Sequence, residues 1–386
     1  MSLAAFLGGR VLRVLMISER WFPSVGGGEF HILHLVRGLI SKGIEVDLVS
    51  RDLQGGVRPE GCDGMDGFRV VRLPPRSSFE NPLGRSLYPP LLVNSVKELG
   101  PHDVIHVHCP LGSFPAAYLR RKLRIPLVRT LHGVYAGKWS AMLGYGPRAL
   151  LFTALEALSL SLAYDAVIAV DRKSLESGLG VAHSVARWIP NGVDWARFDG
   201  LEIGSPEVFT FLFVGRLVPQ KGLVYLLEAS SILEDSGEEF QLLLVGEGPD
   251  RGKLERRARA MELHNLHFLG LVDDERLTGL YASSHAFVLP SLWEGLPLTL
   301  LEAWAARLPV VTTGVGGVQQ VAQDGRNALL VEAGSAQALA QRMRELMKDD
   351  NLRRRLASSG RRLVEERFSW DRVTEETIEV YRGCIS

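Results

Sequence analysis

Short apolar runs alternate with helical hydrophobic periods along this chain, and the alternation happens twice. In the first half, Val11–Ile17, Ile44–Ser50, Phe68–Leu73, Val104–His108, Leu127–Leu131 and Ala166–Val170 read as buried strands. Helical periods lie between them, clearest at Phe30–Ser41 and Ala116–Leu123. The second half repeats the pattern with strands at Phe209–Val214, Gln241–Val245, Leu266–Phe268, Ala286–Leu289 and Val310–Thr312. Its helices fit Leu223–Leu233, Arg251–Met261, Asp274–Tyr281, Leu298–Ala306 and Ala336–Met347. Strand and helix in alternation predict an α/β fold with parallel sheets covered on both faces. The stretch Asp194–Glu207 reads as a linker, dividing a first domain of 1–195 from a second of 196–369, and 386 residues suffice for both. Two doubly wound, Rossmann-like domains place ligands at the C-terminal ends of their strands, in a cleft where the domains face each other.

Charge excludes some partners. The 44 basic residues balance the 44 acidic ones, so no global field draws the chain to nucleic acid. Three scattered cysteines (Cys62, Cys109 and Cys384) argue against a disulfide framework, and a reducing cytoplasm is the expected compartment. No apolar stretch reaches the length of a spanning helix. The nearest, Ala149–Ala163, is broken by Glu156 and several hydroxyls and is expected to be a buried helix, with membrane-surface contact as the alternative.

Chemistry concentrates at Pro290–Ala303, where Glu294 and Glu302 stand eight positions apart around Gly295, Leu296 and Pro297. Pro297 suits the first position of a helix. That puts Glu294 in the loop ahead of the helix and Glu302 inside it. Backbone N–H groups near Gly295 would face an anion, and a carboxylate on each side would accept from sugar hydroxyls. Dipole complementation alone accounts for many acidic residues near helix starts. Glu302, however, sits among Leu298–Leu301 and Ala303–Ala306, where an unpaired carboxylate is costly.

This segment resembles the retaining nucleotide-sugar transferases of glycosyltransferase family 4, which have the two-domain GT-B fold. Their Glu-Gly-x-Pro-x-x-x-x-Glu-Ala setting is complete here, and the similarity runs from Val14 to the last helix. Gly215-Arg216 through Lys221-Gly222 follows the first strand of the second half and matches the family's diphosphate-binding element. A planar guanidinium and a mobile ammonium suit a phosphate clamp. Gly246-Glu247-Gly248-Pro249 is similar to the family's turn near the nucleoside, although it is also simply a good turn sequence. Gly26, Gly27 and Gly28 open a helix after the first strand and resemble the family's glycine loop, with Glu29 as a helix N-terminal charge.

His132, followed by Gly133, matches the family histidine that lies against the transferred sugar. His106 and His108 share a strand face with Cys109 next in line, but no third metal ligand is evident, and a strand-end role is favoured. No Asp-x-Asp triplet is present, so a metal-independent reaction without a cofactor is expected.

The resemblance implies that Arg216 and Lys221 hold the diphosphate, Glu294 the sugar and Glu302 the ribose. It also implies that helix 370–386 packs back on the first domain. The donor would be a UDP- or GDP-sugar. The acceptor would carry a hydroxyl on a sugar, glycan or lipid, and the basic group Arg120–Lys122 with Arg124 would suit contact with the inner face of a membrane. A non-catalytic nucleotide-sugar binder and an inverting transferase or epimerase on the same architecture are the competing readings. Two departures from the family pattern stand out. Gln319 and Gln320 follow Gly316-Gly317 where Pro-Glu is usual, and Arg307 occupies a position where glycine is common.

Overall fold

The computed structural model describes residues 10–22, 26–51, 64–73, 88–134, 138–140, 146–176, 185–200 and 207–385. It divides into two units, Met1–Pro190 with Trp370–Ser386, and Asn191–Ser369. Cys62 and most of the Gly-rich stretch after Arg51 lie outside the described residues.

In the first unit, β1 (Arg13–Ile17), α1 (Gly27–Ser41), β2 (Glu45–Arg51), β3 (Phe68–Leu73), α2 (Tyr88–Glu98), β4 (Val104–Val107) and α3 (Ser113–Leu123) come first. They are followed by β5 (Leu127–Leu131), α4 (Pro147–Leu160), β6 (Ala166–Ala169), α5 (Arg172–Glu176) and β7 (Val185–Trp188). The seven strands form one parallel sheet in the order β3-β2-β1-β4-β5-β6-β7. Two apolar clusters cover its faces, one around Val14, Met16 and Leu48, the other around Leu15, Ile17 and Val49. Adjacent strand residues point to opposite faces, so a strand buried on both sides must be apolar throughout.

The second unit runs β8 (Phe209–Val214), α6 (Leu223–Asp235), β9 (Phe240–Val245), α7 (Arg251–Ala260), β10 (Leu266–Gly270), α8 (Asp274–Ala282) and β11 (Ala286–Leu289). Then come α9 (Leu298–Ala305), β12 (Val310–Thr313), α10 (Val318–Val321), β13 (Leu329–Val331), α11 (Ala336–Lys348) and α12 (Asp350–Arg367). Its parallel sheet is ordered β10-β9-β8-β11-β12-β13. Both sheets therefore reverse direction once, at β1/β4 and at β8/β11, the position where doubly wound folds bind ligands.

The last helix, α13 (Trp370–Ile385), belongs to the first unit. Val373, Ile378, Val380 and Tyr381 join its core, and His106 Nδ1 lies 2.6 Å from Tyr381 Oη. Gly38 of α1 gives α13 room, since a Cβ there would sit 2.0 Å from Thr374 Oγ1.

Several elements differ from the sequence reading. Strand β7 was not expected because Val-Ala-Arg-Trp at an exposed sheet edge carries no apolar run. Helix α12 is rich in arginine, yet Leu352, Leu356, Gly360 and Val364 form one buried stripe at four-residue spacing. Asp349 caps it by accepting from Leu352 N at 2.8 Å. A larger correction concerns α4, which is not a buried helix. Leu150 is 73% exposed, Leu158 57% and Leu151 45%. Only Ala149, Glu156, Ser159 and Leu160 are buried, and Glu156 turns inward to accept from Trp139 Nε1 at 2.9 Å. The polar residue faces the protein and leucines face solvent, the reverse of what composition suggested.

Candidate active site

Four loops at the C-terminal ends of β8, β9, β11 and β12 pack on one another in the second unit. Gly222 (φ 64) lies so close to the β11 loop that a Cβ would sit 2.2 Å from Pro290 O. Gly246 (φ 131) likewise would place a Cβ 2.0 Å from Gly215 O, and Gly248 one 2.3 Å from Leu217 O. Leu217 N donates to Glu247 O at 2.9 Å, which joins the two loops directly. Gly316 (φ 55) touches the carbonyl of Glu294, where a Cβ would be 1.8 Å from the oxygen. These glycines are demanded by loop-on-loop packing, so their presence alone does not indicate a ligand.

The loops bring two of the expected side chains together. Lys221 Nζ is 2.5 Å from Glu294 Oε1, with both side chains largely buried. Ser291 Oγ donates to the same oxygen at 2.6 Å. Gln220 Nε2 donates to Trp293 O at 2.9 Å and makes only a long 3.4 Å contact with Glu294 Oε2. Oε2 thus retains acceptor capacity. Arg216 extends from the same loop as Lys221 and is exposed, and its side chain forms no hydrogen bond or ion pair with a described residue. Among the described residues, no side chain neutralises this cation, whereas Lys221 is paired with Glu294.

Pro297 is the N-cap of α9, not its first turn, and no side chain caps the helix. The amides of that first turn remain available to an anion. Asn191 Nδ2 donates to Leu296 O at 2.5 Å and so fixes the chain leading into the helix. Glu302, in the second turn, accepts from Tyr281 Oη at 2.9 Å through Oε2. Burial raises the Glu302 carboxyl above its ordinary range, while the nearby Arg197 charge and the Tyr281 bond oppose that rise without cancelling it. Arg197 Nε and Nη2 and Thr299 Oγ1 are buried with no hydrogen-bond partner. Unsatisfied donors of this kind are expensive in a finished site and suit one that receives a polar ligand.

The departures from the family pattern are accommodated locally. Gln319 Nε2 donates to the carbonyl of Gly314 in its own loop. Arg307 adopts a left-handed conformation (φ 58), which explains why glycine would serve there.

In the first unit, Gly27 and Gly28 begin α1 with open space where their side chains would be, whereas a Cβ on Gly26 would meet Glu29 Oε2 at 2.7 Å. No capping side chain closes this helix either. Ser24 and Val25, part of the expected glycine loop, fall outside the described residues. His132 follows β5 and meets His108, with His108 Nδ1 and His132 Nε2 3.2 Å apart. Burial, with neighbouring histidines adding to it, holds both well below the usual imidazole range. His106 is instead structural: its Nε2 lies 2.7 Å from Thr130 Oγ1, its Nδ1 meets Tyr381, and burial holds it at about 3. Burial also pushes the Cys109 thiol up to about 12.

Sequence reasoning missed His31, Ser291, Gln220, Tyr281 and Arg197. Gln220 and Ser291 sat inside quoted segments as unremarked polar residues. The other three come from distant elements and carried no local signal.

Two parallel α/β units with a polar loop cluster at the second sheet's switch point define the GT-B class of sugar-transferring folds. The structure overlays that of sucrose-phosphate synthase from Thermosynechococcus elongatus with a TM-score of 0.80, covering 96% of this chain and 98% of that one at 22% identity. Anabaena HepE in complex with UDP-glucose overlays at 0.75, covering 95% and 98% at 19% identity. A family model described as Glycosyltransferase Family 4 matches residues 25–197, and one described as Glycosyl transferases group 1 matches residues 203–363. An uncharacterized glycosyltransferase of Methanocaldococcus jannaschii is 28% identical over 397 residues, which is 96% of this chain and 98% of the relative. The chain belongs to the family 4 type of glycosyltransferase.

Proposed function

We propose that this chain transfers a sugar from a UDP- or GDP-sugar to a hydroxyl acceptor, with retention of configuration and without a metal ion. The observation that carries the reading is Arg216, an exposed cation unpaired among the described residues, beside the Lys221–Glu294–Ser291 network. Arg216 binds the diphosphate as a fork, and Lys221 neutralises charge that grows on the leaving phosphate. Glu294, oriented by Lys221 and Ser291 through Oε1, offers Oε2 to a hydroxyl of the transferred sugar. Glu302 accepts from the ribose, Tyr281 holding its other side.

As the bond from the anomeric carbon to the phosphate oxygen breaks, the acceptor oxygen bonds to that carbon from the same face. The acceptor proton passes to the departing phosphate oxygen, so no protein base is required. His132 contributes a neutral imidazole to the sugar's surroundings, and the first unit carries the acceptor. The complex of HepE with UDP-glucose supports a uridine donor as the first to test. The apolar face of α4 and the exposed Arg121, Lys122 and Arg124 at the end of α3 support a lipid-borne acceptor at a membrane surface.

Stereochemistry can be tested before the acceptor is known. With EDTA present and an α-linked donor, slow transfer to water should release the α-sugar first, visible by proton NMR before mutarotation. Initial release of the β-sugar would exclude retention, and dependence on added Mg2+ would exclude metal independence.

A further inference from the structure

We infer that His31, His108 and His132 form a binding site for one borderline transition-metal ion, of the zinc or cobalt type. One ring nitrogen from each lies within 4.8 Å of the other two. The ligands come from three elements: His31 from α1, His108 from just beyond β4, and His132 from just beyond β5. The 3.2 Å separation of His108 Nδ1 and His132 Nε2 is close to the ~3.4 Å expected between two nitrogens bound tetrahedrally at about 2.0–2.1 Å. The His31 ring stands edge-on to His132 with centroids 4.7 Å apart, and Trp370 closes the same side at 5.6 Å.

Comparison with a neighbouring ring distinguishes this cluster from ordinary core packing. His106, its ring centroid 4.1 Å from that of His108, satisfies both of its nitrogens within the protein. His108 does not: Nε2 is buried with no hydrogen-bond partner, in a residue only 7% exposed. An ion held at Nδ1 would leave Nε2 as it is, so the site rests on the close approach of the three rings. Three histidine ligands with an open fourth position are a complete ligand count for zinc. The all-nitrogen set selects zinc, cobalt, nickel or copper over magnesium and calcium, which require oxygen ligands.

Occupancy would engage the ring nitrogen of His132. If His132 lies against the sugar, as the proposed function holds, the ion is an inhibitor of transfer and not a participant in it. That consequence rests on the proposed function, while the binding site does not.

The test uses the full chain and Co2+ alone. Titration should produce the visible absorption bands of a nitrogen-ligated four- or five-coordinate ion, saturating at one equivalent. Zn2+ should displace them and Mg2+ should not. His31→Ala and, separately, His108→Gln should each weaken binding by about tenfold or more, with folding checked by thermal melting. Should either variant fail to fold, proton NMR of the wild type gives an independent answer, because Zn2+ should perturb three of the ten histidine ring signals together. Absence of a saturable band, binding unchanged in both folded variants, or perturbation of a different set of histidines would overturn the site. Binding that is present but leaves transfer unaffected would count against the role of His132 alone.

Discussion

Burial of Glu302 costs the isolated fold stability, and the proposed function gives this carboxylate to the donor. The Glu302 carboxyl is raised above the ordinary 4.5 chiefly by burial. A carboxyl raised in the folded state contributes stability that is complete below its unfolded value and is lost as pH rises through its folded value. Glu302→Gln removes that loss. Its melting temperature should match the wild type below about pH 4 and exceed it increasingly toward pH 8, as followed by circular dichroism. Donor affinity should fall by about tenfold to a hundredfold in the same variant, the cost of one charged hydrogen bond. A variant less stable than wild type at pH 8 would show that the carboxylate is structural. At this scale motif and chemistry singled out Lys221 and Glu294 from the sequence, and the structure joins the two. The sequence was silent on Tyr281, because a partner twenty-one positions away is chosen by folding and leaves no local pattern.

Among the elements, α4 shows how composition misleads. An apolar segment interrupted by one acid and several hydroxyls reads as buried, since burial is the usual fate of such a sequence. Here Glu156 and Ser159 find partners inside, and Leu150, Leu151, Ala154 and Leu158 share the outer face. Arg120, at the end of α3, pairs with Asp165 just beyond α4. An exposed apolar helix face, with exposed cations on another helix of the same unit, suits an anionic lipid surface. The protein should co-sediment with vesicles containing phosphatidylglycerol, and Leu150→Asp with Leu158→Asp should reduce that several-fold. Exposed substitutions of this kind should change stability by only about 0.5 kcal/mol. Wild-type protein that stays in the supernatant would refute membrane contact. Strands buried on both faces were easy to read because they must be continuously apolar. The edge strand β7 and the single-stripe helix α12 meet weaker demands and left weaker signals.

At the scale of the whole molecule, repeated strand–helix alternation predicted two parallel α/β sheets, and both share the β1/β4 type of reversal. Alternation cannot assign strand order, nor can periodicity show that α13 returns to the first unit; contacts such as His106 with Tyr381 fix that. The account's central claim is that the second unit holds a nucleoside diphosphate sugar through Arg216 and the network around Glu294. The most direct test is thermal stabilisation of the purified protein by UDP-, GDP- and ADP-sugars in EDTA, alongside Arg216→Ala. The account predicts that one diphosphate sugar raises the melting temperature of the wild type, by about 2–3 kcal/mol of added stability at a hundredfold excess over its Kd. Arg216→Ala should lose most of that shift while melting, unliganded, at the wild-type temperature. A shift that survives undiminished in Arg216→Ala, or none with any donor, would contradict it.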